Sequence, residues 1–382
     1  MVYRAIGLMS GSSLDGLDIV FAEFHENGGQ WNYEILDACC YPYPEEWSIR
    51  LKNAVSLPAL DYQLLHTGYG HFLGKQLNHF IDERRLQYQV ALIASHGHTT
   101  FHVPEKRMTA QLGDGAAIAA LTRLPVVTDL RALDLALGGQ GAPIVPIGEK
   151  LLLKEYDYFL NIGGIANISR NADPYIAFDI CAANRVLNML ANETGKEFDE
   201  GGKIAATGKV DAALLQKLNG LDYYKQPYPK SLANEFGTEL VYQLIQDAGY
   251  RKQDAGYRIQ DALRTYTEHI VVQIKNAISI LKNQQPSFAE PSAGKPATSN
   301  QQLLVTGGGA FNTFLIQQLK EELKKLKTEV IIPDEKLVKF KEALIMAFIG
   351  VLRWRQEYNI LSSVTGASGD SIGGALWTGQ EA

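Results

Sequence analysis

Two strand-like apolar runs, at residues 3–9 and 18–24, flank the polar stretch Ser10-Gly11-Ser12-Ser13-Leu14-Asp15-Gly16. Glycine turns where other residues strain, so the pattern predicts a hairpin whose tip carries hydroxyls and a carboxylate. Helical apolar spacing follows at 60–85 and 111–121, and short buried strands are predicted at 90–95 and 125–129. The first half of the chain thus alternates strand with helix.

A second unit of the same kind begins at Tyr158-Phe159-Leu160-Asn161-Ile162, turns at Gly163-Gly164 and returns through Ile165-Ala166-Asn167-Ile168-Ser169. The repeated hairpin predicts two related domains. Amphipathic stretches are predicted at 211–218, 237–248 and 260–282, while residues 284–302, without period, read as an exposed insertion loop. A third cluster, Gly307-Gly308-Gly309, follows the apolar run 303–306 and precedes a helical pattern over 313–326. Strand, glycine turn and helix is a common nucleotide-site geometry, and it is equally the plain connection that a positive φ requires. Three such clusters in one chain favour the nucleotide.

A chain of 382 residues exceeds what one hydrophobic core usually serves, which agrees with two domains and a small-molecule cleft between them. The net charge of −6, with Lys and Arg scattered, leaves no basic footprint and argues against a nucleic-acid partner. Three cysteines, two of them the adjacent Cys39 and Cys40 and the third Cys181, form neither a CxxC nor a zinc spacing, as expected in a reducing cytosol. The N-terminus lacks a signal-peptide pattern, and the apolar run at 343–351 is too short to span a bilayer, so it reads as a buried helix. The expectation is a cytoplasmic protein with no membrane partner.

In content and in order, Gly7-Leu8-Met9-Ser10-Gly11-Ser12-Ser13-Leu14-Asp15-Gly16-Leu17-Asp18, Ser95-His96-Gly97-His98-Thr99, Gly138-Gly139-Gln140-Gly141-Ala142-Pro143, residues 161–167 and Thr306-Gly307-Gly308-Gly309 resemble the anhydro-N-acetylmuramic acid kinases, a family of the acetate and sugar kinase/Hsp70/actin superfamily. The resemblance spans almost the whole chain, and its first and third segments are the most specific. It implies an α/β fold of two actin-like (ribonuclease H-like) domains around an interdomain nucleotide cleft, one of residues 1–130 plus 355–382 and the other of residues 131–354. It also implies a homodimer, with ATP and Mg2+ as cofactors. The implied reaction opens the 1,6-anhydro ring of N-acetylmuramic acid with water while phosphorylating O6.

On this resemblance the ATP-binding residues are Gly11, Ser12, Ser13, Leu14, Asp15, Gly16, Leu17 and Asp18, with Gly163, Gly164, Gly307, Gly308 and Gly309. Asp15 reads as a functional carboxylate near magnesium, and Asp18 stays open between that role and a turn-forming one. Asp179 ends the apolar run Tyr175-Ile176-Ala177-Phe178, where a strand delivers a side chain into a cleft, and is the expected catalytic base; its rival role is a helix N-cap for the run starting at Ala182. The family usually continues Thr-Gly-Pro-Gly-Asn after this aspartate, whereas this chain has Ile180-Cys181-Ala182-Ala183-Asn184.

His96, His98 and Thr99 read as polar lining for the sugar, with His98 standing where the family has Gln; no carboxylate or cysteine at ligand spacing supports a metal there. Arg131 and Asp134 match the substrate-side motif, where an arginine can hold the lactyl carboxylate. Gly138 to Pro143 reads as a hinge, a substrate loop, or both. Glu342 either reaches the sugar or faces solvent from its helix. Asp199, Gly201, Gly202 and Pro229-Lys230-Ser231 carry lesser weight. The competing functions are a kinase of another anhydro or ordinary sugar on the same fold, and a non-catalytic ATP-binding regulatory protein.

Overall fold

The computed structural model describes residues 1–11, 14, 16–228, 230–233, 235–250, 258–283 and 300–379. By packing the chain divides into Met1–Lys154 with Phe340–Ala382, and Glu155–Lys339. Residues 131–154 and 340–354, expected in the second domain, therefore belong with the first. The reason is visible in the contacts: Arg131 is bonded to His96, and the helix that carries Ala343 rests on Gly7 and holds Glu149 through a buried 2.7 Å ion pair from Lys341.

The first unit contains β1 (Val2–Ser10), β2 (Gly16–Asn27), β3 (Gln30–Pro42), β4 (Leu92–Ser95), the small pair β5 (His98–Val103) and β6 (Met108–Leu112), and β7 (Pro125–Thr128). Its main sheet runs β3-β2-β1-β4-β7 and ends on the C-terminal strand Ala375–Thr378. Strands β1 to β3 form an antiparallel meander, and β4 and β7 continue parallel to β1. Ile6, Leu8, Ile19 and Phe21 pack beneath Tyr69, Leu73, Leu77 and Phe80 of the helix Ala59–Glu83. A Cβ on Gly7 would lie 1.9 Å from the Ala343 carbonyl, so the helix Glu335–Arg355 rests directly on β1 because that position is bare.

In the second unit β8 (Tyr158–Ile162), β9 (Ile165–Arg170), β10 (Ile176–Ala182), β11 (Gln301–Thr306) and β12 (Thr328–Ile331) are ordered β10-β9-β8-β11-β12. The meander followed by two parallel strands repeats the first unit's plan. Leu160, Ile162 and Ile168 meet Tyr266, Ile270 and Ile274 of the long helix Ile259–Asn283 in its core.

The elements differ from the sequence expectation in two places. Strand β3 was not foreseen, although Trp31, Tyr33 and Ile35 alternate with polar residues in it. The helix expected from 111 starts at Gly115, because Gln111 and Leu112 pair in β6 with Thr99 and His98 and the Asp114 side chain caps the Ala116 N–H at 2.8 Å. The insertion loop at 284–302 lies outside the described residues except for its last three.

Candidate functional site

The hairpin β1–β2 brings Ser10 opposite Leu17. Ser12, Ser13 and Asp15 lie outside the described residues. Around them, the Leu14 N–H donates to the Gly11 carbonyl at 3.3 Å, and Leu14 sits at φ +59° in the left-handed region. Gly16 is required by close approach, since a Cβ there would lie 2.8 Å from the Tyr41 carbonyl. Leu17 is buried in the core, so its side chain supports the loop from below. Asp18 is a strand residue, half-buried, opposite Met9 on one side and Cys40 on the other.

The segment 95–99 is gripped on both sides of Gly97. The Arg131 Nε–H donates to His96 Nε2 at 2.9 Å, and His96 Nδ1 lies 3.0 Å from the Gly97 carbonyl. With Nε2 accepting, Nδ1 must carry the proton, so His96 is neutral. Burial and the neighbouring Arg131 charge push its pKa down to about 3. His98 Nδ1 lies 3.1 Å from Ser10 Oγ, and burial lowers its pKa as well. Thr99 is exposed and accepts a hydrogen bond from Gln111.

Arg131 also donates from Nη1 to the Gly141 carbonyl at 2.6 Å. Two of its donors are thus held by the protein. Burial pulls the Arg131 pKa down to about 10 against the opposing charges of Glu342 and Asp134, which leaves it cationic at neutral pH. Glu342 is half-buried and electrostatically coupled to Arg131.

Asp134 is fully buried: Oδ1 accepts from the Thr365 hydroxyl and Oδ2 from the Gly141 N–H, both at 2.7 Å. A Cβ on Gly139 would lie 2.2 Å from Asp134 Oδ2. The glycines of 138–141 therefore let the loop wrap around a buried carboxylate. Among the described residues no group of three or more His, Cys, Asp and Glu is placed to hold a metal ion.

In the second unit the turn Gly163-Gly164 is latched to the helix Asn184–Asn192. The Ala183 N–H donates to the Gly164 carbonyl at 2.8 Å and the Asn184 N–H to the Gly163 carbonyl at 3.0 Å, which satisfies two of the donors a helix start leaves open. Gly307, at φ +81°, is demanded by the fold: a Cβ there would lie 2.4 Å from Asn161 Oδ1, and one on Gly309 would lie 2.2 Å from Ile162 Cγ2. At Gly163, Gly164 and Gly308 a Cβ would meet nothing nearer than 3.4, 3.6 and 3.5 Å. Packing thus explains two glycines of the set and leaves three as bare backbone.

Asp179 lies in β10 opposite Asn167, just before a bulge. Its N–H donates to the Lys230 carbonyl at 3.0 Å, its Oδ2 accepts from the Leu232 N–H at 2.9 Å, and its carbonyl accepts from the Tyr223 hydroxyl at 2.7 Å. Lys230 in turn donates to the Tyr223 carbonyl at 3.2 Å. Burial raises the Asp179 pKa, opposed only by the Leu232 N–H. The helix-cap role is ruled out, because the cap residue is Ala183, with no side-chain bond. Cys181 is fully buried and its thiol is held protonated by burial. Ala182 and Ala183 are buried too; Ala182 gives its carbonyl to the Tyr266 hydroxyl at 2.8 Å and packs against Gly237, where a Cβ would lie 2.9 Å from its own. Strand pairing therefore continues through Ala182 in place of an early turn.

Of the lesser candidates, Asp199 spends both oxygens on the Ile204 and Ala205 N–H groups at 2.8 and 2.9 Å, a structural role. Pro229 lies outside the described residues. Tyr43, Tyr223 and Thr365 were missed, since each reaches its partner across tens or hundreds of residues and no local pattern marks it.

The profile of the anhydro-N-acetylmuramic acid kinase family matches residues 3–379. This chain belongs to that family. An anhydro-N-acetylmuramic acid kinase of Photobacterium profundum is 32% identical to it, over 98% of this chain and 99% of its own length. One of Francisella tularensis subsp. novicida is also 32% identical, over 97% of each. The activator of the 2-hydroxyisocaproyl-CoA dehydratase from Clostridium difficile with bound ADPNP superposes with a TM-score of 0.43 at 13% identity, covering 92% of this chain and 96% of its own. As a member of the anhydro-N-acetylmuramic acid kinase family the protein is a kinase, a phosphotransferase that uses ATP and an alcohol acceptor. No described helix is long and apolar enough to cross a membrane.

Proposed function

We propose that this kinase opens 1,6-anhydro-N-acetylmuramic acid with water and phosphorylates the released O6, yielding N-acetylmuramic acid 6-phosphate and ADP. Water adds its oxygen to C1 as the C1–O6 bond breaks, and O6 takes the γ-phosphoryl group from ATP. Asp179 is the base that accepts the water proton. The observation that carries this role is its half-buried carboxylate of raised pKa, held at the main chain by Lys230 and Tyr223 and left out of helix capping.

In the first unit the β1–β2 loop, Gly11 to Asp18, is the phosphate-binding segment of this reading, and in the second unit its nucleotide-binding positions are Gly163, Gly164, Gly307, Gly308 and Gly309. The two glycine turns differ in what supports this: only Gly163, Gly164 and Gly308 are bare without a packing reason. Arg131, His96, His98, Thr99 and Glu342 are the sugar-side residues, and Asp134 serves them by fixing the loop that Arg131 also holds.

Magnesium is supplied with the nucleotide and neutralises phosphate charge. It is bound mainly by phosphate and water oxygens with one or two carboxylates, and the half-buried Asp18 beside the loop has the right donor chemistry. A homodimer and a cytoplasmic location complete the proposal, on the family resemblance and the cysteine usage.

Turnover of the anhydro sugar with ATP and magnesium in H2 18O tests the reaction. One 18O is expected at C1 and none in the phosphate ester. Label in the ester, or product only from sugars lacking the anhydro bridge, would reject it.

A further inference from the structure

Behind the proposed sugar-side segment runs a chain of buried hydroxyls. Tyr69 OH lies 2.6 Å from Tyr43 OH, Tyr43 OH donates to Ser10 Oγ at 2.8 Å, and Ser10 Oγ lies 3.1 Å from His98 Nδ1. Ser10 is 4% exposed, Tyr43 9%, Tyr69 0% and His98 7%. The four come from β1, the residue just after β3, the helix Ala59–Glu83 and β5, so the chain ties three parts of the unit to one imidazole.

Each hydroxyl has one proton, and that fixes the direction of the chain. Tyr43 spends its proton on Ser10, so the contact with Tyr69 must be donated by Tyr69. Ser10 then has its own proton to place in a buried setting, and the acceptor it meets is His98 Nδ1. In the opposite arrangement, with Nδ1–H donating to Ser10, the Ser10 proton would have to turn back to the Tyr69 oxygen and the three hydroxyls would close on themselves, away from the imidazole. Burial keeps the tyrosine hydroxyls protonated, which preserves the direction at neutral pH.

We propose that Tyr69, Tyr43 and Ser10 form a positioning relay that fixes His98 in the Nε2–H tautomer, so that His98 serves the sugar as a hydrogen-bond donor. This rests on the sugar-side assignment of His98 made above. His96, one residue beyond Gly97, is fixed in the opposite tautomer by Arg131. Neighbouring imidazoles thus receive opposite protonation from two independent networks. A donor at His98 selects an acceptor on the sugar, such as an acetamido carbonyl, a carboxylate or a ring oxygen.

The test is side-chain 15N NMR of the full-length protein labelled at histidine, with His98 assigned from the signal lost in His98→Gln, together with steady-state kinetics. The parent is expected to show His98 as a single Nε2–H tautomer. Tyr43→Phe removes the donor to Ser10 and should populate the Nδ1–H form, raising KM for the sugar roughly 3–10-fold with KM for ATP unchanged.

An Nδ1–H tautomer in the parent overturns the proposal whether or not any variant folds. So does a Tyr43→Phe variant that switches tautomer without raising the sugar KM. The tautomer is read without turnover, so absence of product from the anhydro sugar would instead count against the function proposed above.

Discussion

Each unit holds one candidate aspartate, Asp134 fully buried and Asp179 half-buried, and the two are wired differently. Asp134 gives both carboxylate oxygens to donors of its own chain, the Thr365 hydroxyl and the Gly141 N–H. Asp179 receives a main-chain N–H at Oδ2, is otherwise governed by desolvation, and has its pKa raised. A carboxylate with two good donors is stabilised as the anion and holds a loop in place; one left short of donors in a buried site is primed to take a proton. The contrast separates an acid tied down at both oxygens from the one proposed to do chemistry.

Substitution by asparagine is the sharpest way to break that contrast, because the amide is nearly isosteric. Asp179→Asn is expected to bind ATP and sugar like the parent while turnover falls by about 10² to 10⁴. Its stability should rise. The folded state holds the Asp179 proton more tightly than the unfolded chain does, so stability declines as pH climbs from the ordinary aspartate range through the raised folded value, and a neutral amide removes that loss. Rapid-quench kinetics and thermal denaturation at pH 7 check both halves.

Asp134→Asn should do the reverse. An amide cannot accept from both Thr365 and Gly141, so with its oxygen on the Gly141 N–H the Thr365 hydroxyl must turn to the longer 3.4 Å contact with the Leu361 carbonyl and accept from the amide; stability falls by about 1–2 kcal/mol, with turnover reduced only through the Arg131 loop. Thr365→Val is the milder version: it removes one donor from Asp134 Oδ1 and should cost about 1 kcal/mol in denaturant unfolding. If either variant abolished turnover while leaving stability unchanged, Asp134 would belong to the chemistry and the contrast would fail.

How much of this was legible in the sequence follows from how far each contact reaches. The hairpins β1–β2 and β8–β9 were readable because apolar runs and glycine turns are local signals, and Asp179 was readable as the last residue of such a run. What Asp134 does was not, because Thr365 lies 231 residues away and only the folded chain brings it to the carboxylate. The same holds for Tyr43, which follows a strand without any local mark and meets Ser10 33 residues back in the chain. The glycine clusters looked alike as sequence. The structure divides them, since Gly307 and Gly309 are forced by Asn161 and Ile162, and Gly163, Gly164 and Gly308 are not.

The departure after Asp179 is likewise explained by packing. Ala182 fits against Gly237 and gives its carbonyl to Tyr266, Ala183 is fully buried, and the strand runs on to Ala182. The position of the aspartate is thus set by strand pairing with Asn167 and by the Lys230–Leu232 latch, both of which survive the change of neighbours.

The most direct test of Asp179 as the base is the pH dependence of kcat in the parent and in Asp179→Asn. The base works only when deprotonated, so parent activity should fall as pH is lowered through a single acid limb lying above the ordinary aspartate value of about 4. In Asp179→Asn the residual rate should lose that limb. A parent profile flat down to pH 4, or the same limb persisting in Asp179→Asn, would contradict the account and move the base elsewhere.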